Sequence, residues 1–159
     1  QKFRGEESVW SWLTAQQTNT FRVDRLFDYD IRNSAEVSEV NLIISVSAEI
    51  AATRIHAVKS ADIPTYVLRS SYQGFDAIKS PTDANDFIRT FRCEAIEQIR
   101  QDFPKISIIN LFPATPVCLP VRIGMNYLKN ADVEWRMYNQ RGEDGFMYAL
   151  SIKGGNENE

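Results

Sequence analysis

The feature that most constrains this chain is the run Val40-Asn-Leu-Ile-Ile-Ser-Val-Ser47, which is almost continuously apolar and rich in β-branched residues. An alternating strand wets one face of its sheet, whereas a run like this needs cover on both, as a strand inside a mainly parallel sheet has. Parallel neighbours need crossover connections, so further strands must follow, separated by helices or long loops. A helix is expected directly after the run, with Ser47 as N-cap, Glu49 at its positive end and Ile50, Ala51, Ile55 and Val58 on one apolar face. Pro64 introduces a second core strand over 65–70. Ser80-Pro-Thr-Asp83 starts a helix on which Phe87, Ile88, Phe91, Ala95, Ile99 and Phe103 recur at spacings of three and four up to Pro104. A third core strand is expected over 105–111, and Thr115-Pro116 repeats the capped start for a helix reaching about Lys129. Residues 133–139 and 146–152 flank Gln140-Arg-Gly-Glu-Asp-Gly145, a hairpin whose glycines supply positive φ.

Ahead of this core, residues 6–17, with Val9, Trp10, Trp12 and Leu13, predict a short helix within an N-terminal segment of residues 1–20. A strand from Phe21 leads into a polar loop over 32–39, and residues 154–159 form a polar tail expected to be disordered. The order predicts an α/β fold: a three-layer domain over residues 21–153 with a partly parallel sheet and a C-terminal β-hairpin.

Composition narrows the function. With 159 residues, 43% of them hydrophobic, the chain is long enough for one core. A net charge of -3 gives no basic field for duplex nucleic acid. The longest apolar runs are far below the roughly 20 residues of a membrane span, and no signal peptide opens the chain, so a cytoplasmic location is expected. Cys93 and Cys118 lack CxxC spacing and read as buried thiols, with no metal site or disulfide framework. The single histidine, His56, excludes any site built on paired imidazoles. The chain opens on Gln1 rather than Met and is expected to be a piece of a longer protein.

In open α/β sheets, ligands gather beyond the carboxyl ends of the parallel strands. Here those ends are Ser45 and Ser47, then Arg69, Ser70 and Ser71, then Phe112, Pro113, Ala114 and Thr115. Two of them are expected to feed helix N-termini, where free N–H groups favour an anion. The loop from Arg69 to Lys79 adds two cations, with Tyr72 and Phe75 as stacking surfaces, and the mixture suits a nucleotide. Each residue also has a structural reading: Ser47 as a cap, Arg69 paired with an acid on a neighbouring strand, Phe75 pinning the loop to the core. Neither GxGxxG nor GxxxxGK[ST] occurs, so a dinucleotide fingerprint and a P-loop are unsupported. The enzymatic alternatives are a hydrolase using Asp76, a dyad of His56 with Cys93 or Cys118, or the pair Glu94 and Glu97. A further alternative is an assembly module that binds partner chains through Trp10, Trp12 and Trp135, without a small ligand.

The stretch Ile109-Asn-Leu-Phe-Pro-Ala-Thr-Pro-Val-Cys-Leu-Pro-Val-Arg-Ile-Gly124 resembles the signature of SAVED domains, in which a strand ends in a Phe-Pro-Ala-x-Pro turn and the next helix carries a glycine. The likeness extends to Leu42-Ile-Ile-Ser-Val-Ser47, to Asp86-Phe-Ile-Arg-Thr-Phe-Arg92 and to Val133-Glu-Trp-Arg-Met-Tyr138, covering about residues 20–152. It implies a CARF/Rossmann-like fold that senses a cyclic oligonucleotide, a cyclic di-, tri- or tetranucleotide, in antiphage systems of the CBASS or type III CRISPR kind. It implies further that ligand drives head-to-tail homo-oligomers and activates an effector such as a nuclease, a TIR NADase or a protease. Full domains of this kind hold two CARF-like halves, and this chain is expected to supply one half and part of the other, with no cofactor, no effector domain and no catalysis of its own. Pro120 departs from the pattern, and as the fifth residue of the expected helix it would remove a backbone hydrogen bond.

Overall fold

The structure is a computed structural model that describes residues 18–28 and 34–154. The expected helix over 6–17, with Trp10 and Trp12, lies outside the described residues, as does nearly all of the tail. The described strands are β1 (Phe21–Arg25), β2 (Glu39–Ser45), β3 (Thr65–Ser70), β4 (Ile108–Ala114), β5 (Glu134–Gln140) and β6 (Phe146–Ile152). They form one sheet in the order β1-β3-β2-β4-β5-β6. The four inner strands are parallel, while β1 runs antiparallel to β3 and β6 antiparallel to β5. From β2 the chain steps to β3 on one side and later to β4 on the other, so the carboxyl ends of β2 and β4 mark the topological switch point.

Alternate residues of β2 separate two cores. Val40, Leu42 and Ile44 join Tyr66, Leu68, Ile109, Leu111 and Trp135 on the face covered by helices. There, α1 (Pro81–Arg89) continues through a π-helical stretch, Thr90–Ile96, into α2 (Glu97–Asp102). Its start is the one the sequence dictates: Ser80 Oγ accepts from the Asp83 N–H, and the Asp83 carboxylate accepts from the Ser80 N–H. Its end is anchored by Asp102, which accepts from the Tyr66 hydroxyl at 2.6 Å and from Arg25 Nε and Nη2 at 2.7 and 2.8 Å. Trp135, expected as a partner surface in the assembly alternative, is fully buried against Phe91 and Tyr127. The thiols are the reverse: Cys93 and Cys118 are both exposed, not buried. Cys93 falls two residues after Phe91, off the apolar row of the helix.

The second face differs from expectation. No α-helix follows β2; residues 46–60 make turns around a short 3-10 helix, Ala52–Arg54. Ser45 Oγ accepts from the Ile50 N–H at 3.2 Å, and Ala51 is extended, with φ -67° and ψ 136°. The chain therefore dips Ile50 and Ile55 separately into the core with Ile43, Val67, Phe112, Tyr138 and Phe146. The layer on this face is a loop, and lower down the sheet is polar: Asn110 donates to Glu39 at 2.7 Å and to Asn41 at 3.0 Å, and Lys59 pairs with Glu39.

Two other boundaries move. β4 runs three residues further than expected, so Phe112, Pro113 and Ala114 lie in the strand. Pairing of β4 with β5 stops at Leu111↔Met137, which leaves Pro113 in a stretch without a β5 partner, a place where a missing N–H is tolerated. α3 spans Cys118–Met125, shorter than expected, and Thr115 does not cap it. Pro120 is therefore its third residue, in the first turn where an N–H has no intrahelical acceptor, and it costs no helical hydrogen bond. The hairpin is as read, with Gly142 and Gly145 at φ 48° and 82°.

Candidate functional site

The expected site residues divide into three groups. At the switch point, Val46 and Ser47 both donate their N–H to the Ala114 carbonyl, at 3.0 and 2.8 Å. Those amides are spent, no helix begins at Ser47, and the expected pair of helix N-termini facing an anion is not formed. Ser47 Oγ is buried without a partner, Ser45 is fully buried, and Phe112 is locked between Tyr138 and Phe146, so Ser45 and Phe112 form a floor. Ala114 and Thr115 are half-buried beside it, whereas Pro113, also half-buried, falls on the opposite face of β4 and lines a groove beside α3.

The second group surrounds Arg69. This guanidinium reaches Glu49 through Nε at 3.1 Å and Nη2 at 2.9 Å, and Asp24 on β1 through Nη1 at 3.1 Å. Hydrogen bonding to Arg69 holds the Glu49 carboxyl below the usual carboxylate range. The pairing of Arg69 with an acid of a neighbouring strand, expected as the structural reading, is present. Beside it opens a cleft of about 380 Å³ lined by Thr20, Phe21, Arg22, Arg69, Ser70 and Ser71. Gln73 joins this group, donating to Glu49 at 2.9 Å.

The third group is the loop over 71–79. Ser70 Oγ donates to the Tyr72 carbonyl at 2.6 Å. The Tyr72 hydroxyl donates to Asp76 at 2.9 Å, and Lys79 sits 4.8 Å from the Tyr72 ring centroid and 3.5 Å from Asp76. Phe75 does not pin the loop to the core: it stands at the tip, 98% exposed. Single exposed apolar side chains are ordinary on protein surfaces, and this ring has both faces free for stacking. The hydrogen bond from Tyr72 lowers the Asp76 pKa, which suits a fixed anion and not a base working near neutral pH.

The other enzymatic arrangements do not assemble. Cys93 and Cys118 lie on helices of one face, while His56 lies in the loop covering the other, so the sheet separates them. Glu94 and Glu97 face solvent, and Glu97 pairs with Arg100. Among the described residues no group of His, Cys, Asp and Glu is arranged to hold a metal ion, and no helix is long and apolar enough to cross a membrane.

Sequence reasoning missed Asn19 and gave Glu49 the wrong task. Asn19 is a buried polar residue touching both limbs of the 71–79 loop, and Glu49, expected at a helix terminus, is the main partner of Arg69. Only the chemistry of an Asn just before a strand hinted at the first. A separate surface lies at the far edge of the sheet, where an apolar groove of about 300 Å³ runs between α3 and the β5–β6 hairpin. Val117, Val121, Met125 and Leu128 are exposed beside it on or next to α3, as are Met147, Tyr148 and Leu150 on β6.

The family profile described as "SAVED: SMODS-associated and fused to various effectors sensor domain" matches residues 1–152. The fold is similar to that of the Acinetobacter baumannii Cap4 SAVED/CARF-domain containing receptor solved with the cyclic trinucleotide 2′3′3′-cAAA, with a TM-score of 0.64 and 14% identity over 86% of this chain and 28% of that one. It is similar also to the same receptor solved with 3′3′3′-cAAA, with a TM-score of 0.60 and 15% identity over 87% of this chain and 28% of that one. The chain thus spans less than a third of the length of these receptors, and at such identities the likeness is one of fold. No match is found among curated proteins.

Proposed function

The chain belongs to the SAVED family of sensor domains, and from that premise we propose that it binds a cyclic oligonucleotide at the cleft between Arg69 and the 71–79 loop. The observation that carries the reading is the family match across residues 1–152, joined to a likeness to receptors solved with cyclic trinucleotides. Arg69 and Lys79 neutralise phosphates, the Thr115 hydroxyl donates to a phosphate oxygen, and Phe75 or Tyr72 stacks on a base, worth roughly 1–3 kcal/mol. Ser71, whose proton goes to Asn19, holds the loop at the edge of the cleft. Ser47, Ser70 and Ala114 shape the mouth, with Ser45 and Phe112 beneath it, while Pro113 lines the groove on the other face. The role is recognition and not turnover, a reading that the engaged, acid-shifted Asp76 supports.

The same reading extends to output. Binding drives head-to-tail assembly and thereby activates an associated effector, a nuclease, TIR or protease unit, in antiphage defence. The exposed apolar surface around α3 and β6, at the sheet edge opposite the loop, supports an assembly face there. Two exposed free thiols suit a reducing cytoplasm.

The test is Phe75→Ala, because a ring that is 98% exposed contributes almost nothing to folding. The variant is expected to keep the wild-type melting temperature while its affinity for a cyclic trinucleotide falls about tenfold, the worth of one stacked base. Unchanged affinity would remove the loop from the binding site.

A further inference from the structure

We propose that Asn19 is the positioning residue of the binding loop, an inference that rests on the sensor reading above. The 71–79 loop carries Tyr72, Phe75 and Lys79, none of them buried, and the core holds only its returning limb, through Ala77 and Ile78. Asn19 lies outside that loop, just before β1, and is itself 5% exposed. Its Nδ2 donates to the Tyr72 carbonyl at 3.1 Å and to the Ala77 carbonyl at 2.8 Å. Its Oδ1 accepts from the Tyr72 N–H at 3.1 Å and from Ser71 Oγ at 3.0 Å.

Both amide protons and both carbonyl lone pairs are therefore used, which is everything a primary amide can offer. The bonds fall on the outgoing limb at Ser71 and Tyr72 and on the returning limb at Ala77, so one side chain clamps the loop at its neck. Phe75 is the apex of what is clamped. No other residue type does this at the same size: Asp lacks the donors, Ser and Ala lack the reach, and Gln adds a methylene to a buried position. A loop already held in its binding shape is spared the ordering cost that a mobile one pays when ligand arrives.

The probes are 3′3′3′-cAAA and 2′3′3′-cAAA, titrated calorimetrically into wild type, Asn19→Asp, Asn19→Ala and Ser71→Ala, with amide hydrogen exchange of the ligand-free proteins read over 71–79. In both Asn19 variants, faster exchange at Tyr72 and Ala77 and an affinity lower by about tenfold or more are expected, the scale of a buried donor lost together with its acceptor's partner. Ser71→Ala, which removes one of the four bonds to Asn19 together with the exposed bond from the Thr20 N–H and leaves the buried amide intact, is expected to lose only about two- to threefold and serves if the Asn19 variants fold poorly. Asn19→Asp carries a further signature. Protonation of its carboxyl restores one donor to a carbonyl, so its affinity rises as the pH falls from about 7 to 5, a dependence the wild type lacks.

If wild type binds the probes and all three variants match it, the positioning role is wrong while the sensor reading stands. If wild type binds neither probe, the same variants are titrated with whichever cyclic di- or tetranucleotide or other trinucleotide does bind, and if none binds, the sensor reading falls and the positioning role falls with it. Affinity that drops with loop exchange unchanged would also overturn the proposal, by making Asn19 a direct contact.

Discussion

Glu49 holds the cation that the proposed ligand needs, so removing its charge should tighten binding. Arg69 Nε and Nη2 converge on one oxygen of Glu49, Oε1, at 3.1 and 2.9 Å, and the two side chains are 26% and 47% exposed, so the worth of the pair is that of a partly solvated ion pair. Such pairs contribute about 0.5–1 kcal/mol once solvent screening is counted. A phosphate that takes over Arg69 must give up that amount, and Glu49→Gln returns it, a gain of about two- to fivefold in affinity. The same substitution lowers stability slightly, so affinity and melting temperature should move in opposite directions. Calorimetric titration with a cyclic trinucleotide at low and high salt, beside a thermal melt, reads both, and the gain should shrink as salt rises. Acid should mimic the mutation. The folded-state pKa of Glu49 is depressed, so the pair contributes fully above the usual carboxylate range and is lost as pH falls through the lower folded value. Wild type and variant should therefore converge once the pH has fallen through that lowered value. Weaker binding by Glu49→Gln at neutral pH would refute the competition and make Glu49 a ligand contact.

Two other substitutions separate core from surface. Trp135→Ala removes a fully buried ring packed on Phe91 and Tyr127 and should cost about 3–5 kcal/mol in a denaturant melt, in contrast to the surface role first expected of it. Val121→Lys places a charge in the exposed apolar surface beside α3; it should leave ligand affinity unchanged and abolish ligand-induced growth in size, measured by light scattering, and persistence of that growth would move the assembly face elsewhere.

What the sequence made legible was local. β2 and β3 follow from β-branched runs, α1 from the capping pair Ser80 and Asp83, and the hairpin from two glycines with positive φ. The helix expected after β2 failed because Ile50, Ala51, Ile55 and Val58 fit a helical period equally well as separate anchors of a loop, and the hydroxyl of Ser45, set by the strand, decided between them. β4 was misplaced because its register is fixed by β2, from Glu39↔Ile108 to Ser45↔Ala114, and not by its own composition. The site shows the same division. The strand-end rule pointed to Arg69 and the loop as candidates, but the partners that give them their state, Glu49, Asp24, Gln73 and Asn19, are brought in by tertiary pairing that no spacing announces.

The most direct measurement of the central claim is a thermal-shift series of the wild-type chain against cyclic di-, tri- and tetranucleotides. A ligand at 100 times its dissociation constant stabilises the folded state by about 2.7 kcal/mol, which for a chain of this size raises the melting temperature by roughly 5–10 °C. The account predicts such a shift for at least one cyclic oligonucleotide and none for its linear counterpart. No shift across the whole series would contradict it.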